Sequence, residues 1–531
     1  MRKRTAARSV AAVVGAAMVL TACGGGNNAA ATTAAADGSE TQATAESSGG
    51  GNITKTDIVF AQASDVVTLD PAGQQDTTSG VLMKHVYSTL MDIDDDGNLV
   101  PDLAESYEMK SDTEYTFTLR QDACFSDGTP VTAKDVKFTF DRAKDMPKTK
   151  SNTSKIEEVI ADDDQHVTFK LTQPYAAFKT IITNSNLSIV SEAAVTAAGE
   201  SYGDVDNILG SGEFTVTEWV PNDHYTLARN EKYWGEMPIA TTITCRVIPE
   251  GSARAIALEA GEVDLVWNVD ATDCANIEAN PDVTLLSQTS SSIEYLGMNT
   301  TKEKFKDVRV RQAINYALDK QAFVDTIIEG RGTVANSYIN SMIPGWTDEV
   351  EAYPYDPAKA KELLAEAGYP NGFECKIYVN GDVRTRSAQI IQAQLAEVGI
   401  TVDISTYEWG ALLDSLNAGE HEMFLLGWSN SSFDADGSTY QLFYSGNHGA
   451  TGNRAFLTDD KVDELIINAQ KESDDTKRME LYKELQVYLH EISPWCPLYY
   501  KNDNVGVRAD LKGFKLHKGA THYLGNCHYE D

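Results

Sequence analysis

What most limits the folds open to this chain is a change of hydrophobic period near Val308. Before it, Tyr115, Phe117 and Leu119, then Val167, Phe169 and Leu171, then Phe214, Val216 and Trp219 repeat with a period near two, as half-buried strands do. After it, Val310, Ala313, Ile314, Ala317 and Leu318 fall on one helical face. Similar helical patterns follow at about 357–367, 385–398, 459–471 and 474–492, separated by apolar runs such as Ile400–Ile404 and Met423–Gly427. A sheet-rich first half and an alternating second half predict an α/β chain. Roughly 480 patterned residues exceed one core of ordinary size, so two or more lobes are expected.

The first 52 residues follow different rules. Arg2, Lys3, Arg4 and Arg8 precede an apolar run from Val10 to Leu20, which ends in Leu20-Thr21-Ala22-Cys23. That run has about half the length a bilayer requires. Two small residues before a cysteine predict an export leader over 1–22 and a mature chain that starts at an acylated Cys23. From there to Asn52 the chain is mostly Gly, Ala, Thr, Ser and Asn, with no aromatic residue and no Ile, Leu, Val or Met. Such a segment cannot bury a core, and a flexible tether of this length reaches on the order of 30 Å.

Charge narrows the partners. Of the 44 basic residues four lie in the leader, which leaves 40 against 79 acidic side chains beyond it. Nucleic acid and anionic lipid would be repelled by the folded part. Beyond Cys23 there are six cysteines, Cys124, Cys245, Cys274, Cys375, Cys496 and Cys527, with no CxxC pair. Export permits disulfides, and six cysteines could pair in 15 ways, so their state stays open.

Catalytic signatures are absent: there is no GxSxG, HExxH or GxxxxGK[ST]. A carboxylate pair assembled in space is compatible with so many Asp and Glu residues, but spacing along the chain does not reveal one. Asp92, Asp94, Asp96 and Gly97 open like a calcium loop, yet Leu103 occupies the twelfth position, where a bidentate glutamate is required. His517, His522, Cys527 and His528 are soft and borderline ligands without a standard spacing. No catalytic residue, metal or cofactor is assigned.

From about Thr54 to the end, the order of segments resembles the family 5 solute-binding proteins, the substrate-binding components of peptide and nickel ABC importers. The resemblance is carried by Thr68-Leu69-Asp70-Pro71, by Val86-Tyr87-Ser88-Thr89-Leu90 and by Val100-Pro101-Asp102-Leu103-Ala104-Glu105-Ser106-Tyr107. The block from Phe125-Ser126-Asp127-Gly128-Thr129-Pro130 to Val136 is the most recognisable. Gly210-Ser211-Gly212-Glu213-Phe214, Val308-Arg309-Val310-Arg311-Gln312-Ala313-Ile314, Asp356-Pro357 and Ala367-Gly368-Tyr369 follow in order. Each block alone is weak, and their collinearity is specific. Several also have plain structural readings: Asp127-Gly128 is turn chemistry and Asp356-Pro357 a helix start.

The resemblance implies a bilobal periplasmic-binding-protein fold of the large peptide-binding class, with two hinge crossovers near Glu294–Thr300 and Ile492–Lys501. Lobe I would comprise 54–98, 205–297 and 496–531, with an accessory subdomain over 99–204, and lobe II would span 298–495. The implied function is non-enzymatic: an extracytoplasmic lipoprotein, monomeric, that encloses a peptide or peptide-like solute and delivers it to an ABC permease. Oligosaccharide or nickel binding, or an extracellular sensory role, are the alternatives on the same fold.

Ligand-facing candidates sit where strands of the second lobe end. The segment from Gly427 and Trp428 through Ser431, Asp434 and Asp436 offers an aromatic platform, a glycine for close backbone approach and two carboxylates for a cation. Tyr407, Trp409 and Tyr295 extend the aromatic set, while Arg454, Arg384 and Arg386 could fork a carboxylate. Dipeptide-binding members of the family resemble this chain through Tyr407-Glu408-Trp409-Gly410 and Gly427-Trp428. They hold the ligand's amine with an aspartate three residues after that tryptophan, where this chain has Ser431. Their carboxylate-binding arginine lies in the strand in which this chain shows Tyr378.

Overall fold

A computed structural model describes residues 52–430, 432–449, 452–519 and 522–531. The leader, Cys23, nearly all of the tether and Ser431 lie outside the described residues. Strand pairing begins at Ile53, the last residue of the tether expected over 23–53, because Ile53–Lys55 pairs antiparallel with Tyr529–Glu530 near the C-terminus.

Two long strands, Val283–Met298 and Trp495–Arg508, run antiparallel through the middle of an 11-stranded sheet. They pair from Val283 opposite Arg508 to Gly297 opposite Trp495, and the ladder is broken between Thr289 and Ile293. The break falls on three buried serines, Ser290, Ser291 and Ser292. An interrupted register lets a sheet bend and twist locally, and the composition of the core changes across it.

On one side, Trp495–Arg508 pairs with Leu265–Val266, which leads through Asp57–Gln62, Thr242–Val247 and His224–Arg229 to Phe214–Val220. Ile58, Phe60, Leu227, Ile243 and Leu265 form the core there with Val505, Val507, Leu524 and Cys527. On the other side, Val283–Met298 pairs with Met423–Ser429, followed by Glu374–Val379 and Thr401–Thr406. Helices Val308–Ala317, Pro357–Glu366 and Gly381–Glu397 pack on that half through Val310, Ile314, Leu364 and Ile391. Helices Asp460–Lys471 and Asp475–Ile492 cover it through Ile466, Leu485 and Leu489. These are the expected helices and strands, with ends displaced by a few residues. The molecule is a bilobal α/β protein.

A separate four-stranded antiparallel sheet combines Ala104–Ser111, Glu114–Leu119, His166–Leu171 and Ile156–Ala161. It has its own core, in which Phe117, Phe169 and Phe178 meet Phe140 of the helix Ala133–Asp145. That helix starts with a capping box: the Thr132 backbone N–H donates to Asp135 Oδ2 over 3.0 Å.

All six described cysteines are free thiols, and five are buried, which answers the open question of pairing with no disulfide. The acidic run at 92–97 forms a hairpin turn: Asp94 Oδ1 accepts from the N–H groups of Asp96 and Asn98 at 2.9 and 2.8 Å. Among the described residues no group of three or more His, Cys, Asp or Glu is placed to hold a metal ion, and no helix is long and apolar enough to cross a membrane.

Candidate functional site: a cavity between the lobes

The two lobes enclose a cavity of about 370 Å³. One wall comes from the carboxyl ends of parallel strands, as crevices in α/β sheets do: Gln62 closes Asp57–Gln62, and Trp267 and Asn268 follow Leu265–Val266. Ser292, Lys501 and Asp503 of the crossover strands form the floor. Trp428, Ser429, Asn430 and Ser432 supply the opposite wall, and Asn152, Asn184 and Asn186 of the antiparallel subdomain add amides.

The Trp428 wall is built rigidly. Its indole Nε1 donates to the Gly437 carbonyl at 3.1 Å, which fixes the ring plane. Asn430 Nδ2 donates to the Asp434 carbonyl at 2.8 Å and to Ser438 Oγ at 2.7 Å, while its Oδ1 accepts from the Ser432 N–H at 3.2 Å. Ser429 and Ser292, opposite each other on neighbouring strands, pair their hydroxyls at 2.7 Å. A tryptophan held in place by its own N–H loses little freedom when a ligand packs on its face.

Of the described residues singled out from sequence, Trp428 reaches the cavity and the others have different surroundings. Asp434 accepts from the Asp436 N–H at 2.9 Å as the cap of helix Ala435–Phe443, and it forms a buried bidentate pair with Arg478 at 2.6 and 2.8 Å. Asp436 accepts from Tyr175 Oη at 2.8 Å and Gln470 Nε2 at 2.9 Å. Burial, then the neighbouring Asp434 charge, push its carboxyl up to about 6. Neither aspartate is available to a ligand cation, because each already satisfies a buried partner. Tyr295 is in the core, stacked on Trp495 at 3.5 Å. Tyr407 packs at 4.8 Å on Tyr378 outside the cavity lining, Trp409 is half exposed at the start of its helix, and Arg454 Nε donates to Asn417 Oδ1 at 3.2 Å. Arg384 is committed to Glu294 at 2.6 Å, and Arg386 is exposed. Gly427 serves that same pair rather than a ligand: a Cβ there would stand 2.2 Å from Glu294 Oε2.

Among the lining residues that sequence reading did not place at the site are Gln62, Trp267, Lys501 and Asp503, and His522, read there only as a possible metal ligand. One signal was present, since Lys501-Asn502-Asp503-Asn504 interrupts an otherwise apolar strand between Tyr500 and Val505. Burial raises the Asp503 carboxyl pKa, opposed by the charge of Lys501. His522 is kept neutral, its pKa lowered to about 3 by burial and by His517, and its Nδ1 accepts from the His517 N–H at 3.0 Å.

Comparison with known proteins fits this geometry. The glutathione-binding protein GsiB of Escherichia coli K12 is 32% identical over 471 residues, covering 86% of this chain and 91% of that protein. The periplasmic binding protein DppA of Helicobacter pylori, solved with the peptide STSA, superposes with a TM-score of 0.82 at 30% identity, covering 89% of this chain and 98% of that one. AgaA of A. tumefaciens R10, solved with agropinic acid, gives 0.80 at 28% identity, covering 89% and 99%. The model of the bacterial extracellular solute-binding proteins, family 5 (middle region), matches residues 98–450. With two lobes, a ligand-sized cavity between them and this match over most of its length, the chain belongs to the family 5 bacterial extracellular solute-binding proteins.

Proposed function

We propose that the protein captures a peptide or peptide-like solute between its lobes and delivers it to the permease of an ABC importer, while a lipid on Cys23 holds it at the cell membrane. The observation that carries this reading is the cavity. Its volume of about 370 Å³ lies in the range of small-ligand pockets, and its wall combines two tryptophans with a ring of amides and hydroxyls suited to peptide groups. Peptide-type ligands in the relatives, glutathione and STSA, support the same class. The ligand binds the open form and favours closure by touching both lobes. In this reading lobe I comprises 54–98, 205–297 and 496–531 with 99–204 as its subdomain, lobe II spans 298–495, and the crossover strands bend at Ser290–Ser292. The protein works as a monomer, and no side chain is assigned a catalytic role.

The test is calorimetric titration of the full chain carrying Cys23→Ser, which prevents acylation, with dipeptides, tripeptides, glutathione, cello-oligosaccharides and nickel–histidine. A peptide hit is expected, and at 100 times its Kd the ligand raises stability by about 2.7 kcal/mol. Trp428→Ala should weaken it at least tenfold through the lost aromatic face. Binding of oligosaccharide or nickel–histidine alone would overturn the peptide reading. Failure of the unsubstituted chain to incorporate labelled palmitate in cells would remove the lipid anchor.

A further inference from the structure

Three side chains that line the cavity carry buried polar atoms without a partner in the protein: Asp503 Oδ2, Trp267 Nε1 and Gln62 Nε2. The residues are 6%, 5% and 4% exposed. On the opposite wall the polar groups of Trp428, Asn430 and Ser429 are already paired, with Gly437, with Asp434 and Ser438, and with Ser292. Unsatisfied buried groups are rare in folded proteins and unfavourable to the fold, a charged one most of all. Three of them where one cavity wall meets the floor mark where a ligand's polar groups belong.

The backbone brings them together. Gln62 ends its strand, the Trp267 N–H donates to the Ala61 carbonyl at 3.1 Å, and Leu265–Val266 pairs with Val507 and Gly506 of the strand bearing Asp503. Neighbouring strands lie about 4.8 Å apart, so the three positions fall within roughly 10 Å across the sheet. Lys501 shares a strand face with Asp503, two positions earlier, yet forms no ion pair with it among the described residues; its charge only favours the ionised carboxyl. The chemistry is therefore one acceptor that calls for a cation beside two N–H donors that call for oxygen. Two N–H donors beside the carboxylate match an ammonium–carbonyl ligand better than a bare metal ion, and a sugar hydroxyl would satisfy the carboxylate without neutralising it.

We propose that Asp503 anchors a primary ammonium group of the ligand, with Trp267 Nε1 and Gln62 Nε2 donating to a carbonyl or carboxylate oxygen of the same molecule. This deepens the reading of the cavity as a peptide-type site and rests on it. It places the cation site on the crossover strand, in a chain that has Ser431 where dipeptide-binding relatives are expected to carry an aspartate.

The experiment is a cycle on the full chain carrying Cys23→Ser: glutathione and trialanine, each free and N-acetylated, titrated into the parent and into Asp503→Asn. Acetylation is expected to weaken binding to the parent at least thirtyfold, the loss seen when one partner of a buried charge pair is removed. Asp503→Asn should weaken the free-amine ligands equally and leave the acetylated ones unchanged. Without ligand, Asp503→Asn should melt no lower than the parent, because it removes an uncompensated buried charge; that readout separates lost binding from lost folding. Peptides bound equally with and without acetylation, or equally by Asp503→Asn, overturn the anchor and leave the peptide reading standing. A response to oligosaccharide alone overturns both.

Discussion

At the residue scale, the instructive side chain is Asp436. Its sequence context, an aspartate past a strand end, fits a ligand contact as well as a helix start. The fold gives it Tyr175 and Gln470 as donors, Arg478 and Lys155 as nearby cations, and Asp434 and Tyr482 as neighbours that raise its pKa or share its pocket. With the carboxyl raised to about 6, the folded state holds this proton more tightly than the unfolded chain does. The stability it contributes is complete below about pH 4 and is lost as pH rises through about 6. Asp436→Asn should remove that dependence: relative to the variant, the parent loses about 2–3 kcal/mol between pH 4 and pH 7, as read from urea unfolding at a series of pH values. Parallel curves would sink the assignment.

At the element scale, the pair Asp434–Arg478 ties the N-terminus of helix Ala435–Phe443 to the first turn of helix Asp475–Ile492. Both side chains are less than a tenth exposed, so removing either partner strands a buried charge. Arg478→Met alone should cost about 3–5 kcal/mol, and combining it with Asp434→Leu should restore much of the loss, since a buried ion pair is often replaceable by apolar groups of similar volume. Chemical denaturation of the two singles and the double checks this; equal loss in singles and double would mean the pair is not what joins the helices. Of these two helices Asp475–Ile492 was legible in sequence from its 3.6-residue apolar period, whereas Ala435–Phe443 was not and its start was read as a ligand-facing segment. The helices Thr77–Val86 and Gly251–Glu259 were missed as well.

For the whole molecule, contacts on the far side of the cavity join the antiparallel subdomain to the second lobe. Tyr175 Oη donates to Asp436, the Ala176 N–H donates to the Gln470 carbonyl at 2.8 Å, and the Lys155 ammonium stands 5.1 Å from the centre of the Tyr440 ring. Tyr175 and Asp436 lie 261 positions apart in the chain, and contacts of this kind hold the subdomain to the second lobe in the form described here. Tyr175→Phe should therefore speed ligand release about tenfold, the worth of one hydrogen bond to a charged acceptor, with little change in association rate, as read by stopped-flow fluorescence. An unchanged release rate would assign the hydrogen bond to local packing only.

What the sequence determined by itself is what periodicity and collinear order encode: the α/β class, the two lobes, most long helices and strands, and membership of a solute-binding family. Those properties depend on local spacing and on block order along the chain. It also pointed to Trp428, since an aromatic at the end of an apolar strand is a local pattern. Only the tertiary structure decided which charges are spent inside the protein and which face the cavity. Asp434, Asp436 and Arg384 look as free in sequence as Asp503 does, but their partners Arg478, Tyr175 and Glu294 arrive from elsewhere in the fold. Asp503 is left with an oxygen that has none. Pairing of buried charges is set by three-dimensional proximity, and no spacing along the chain records it.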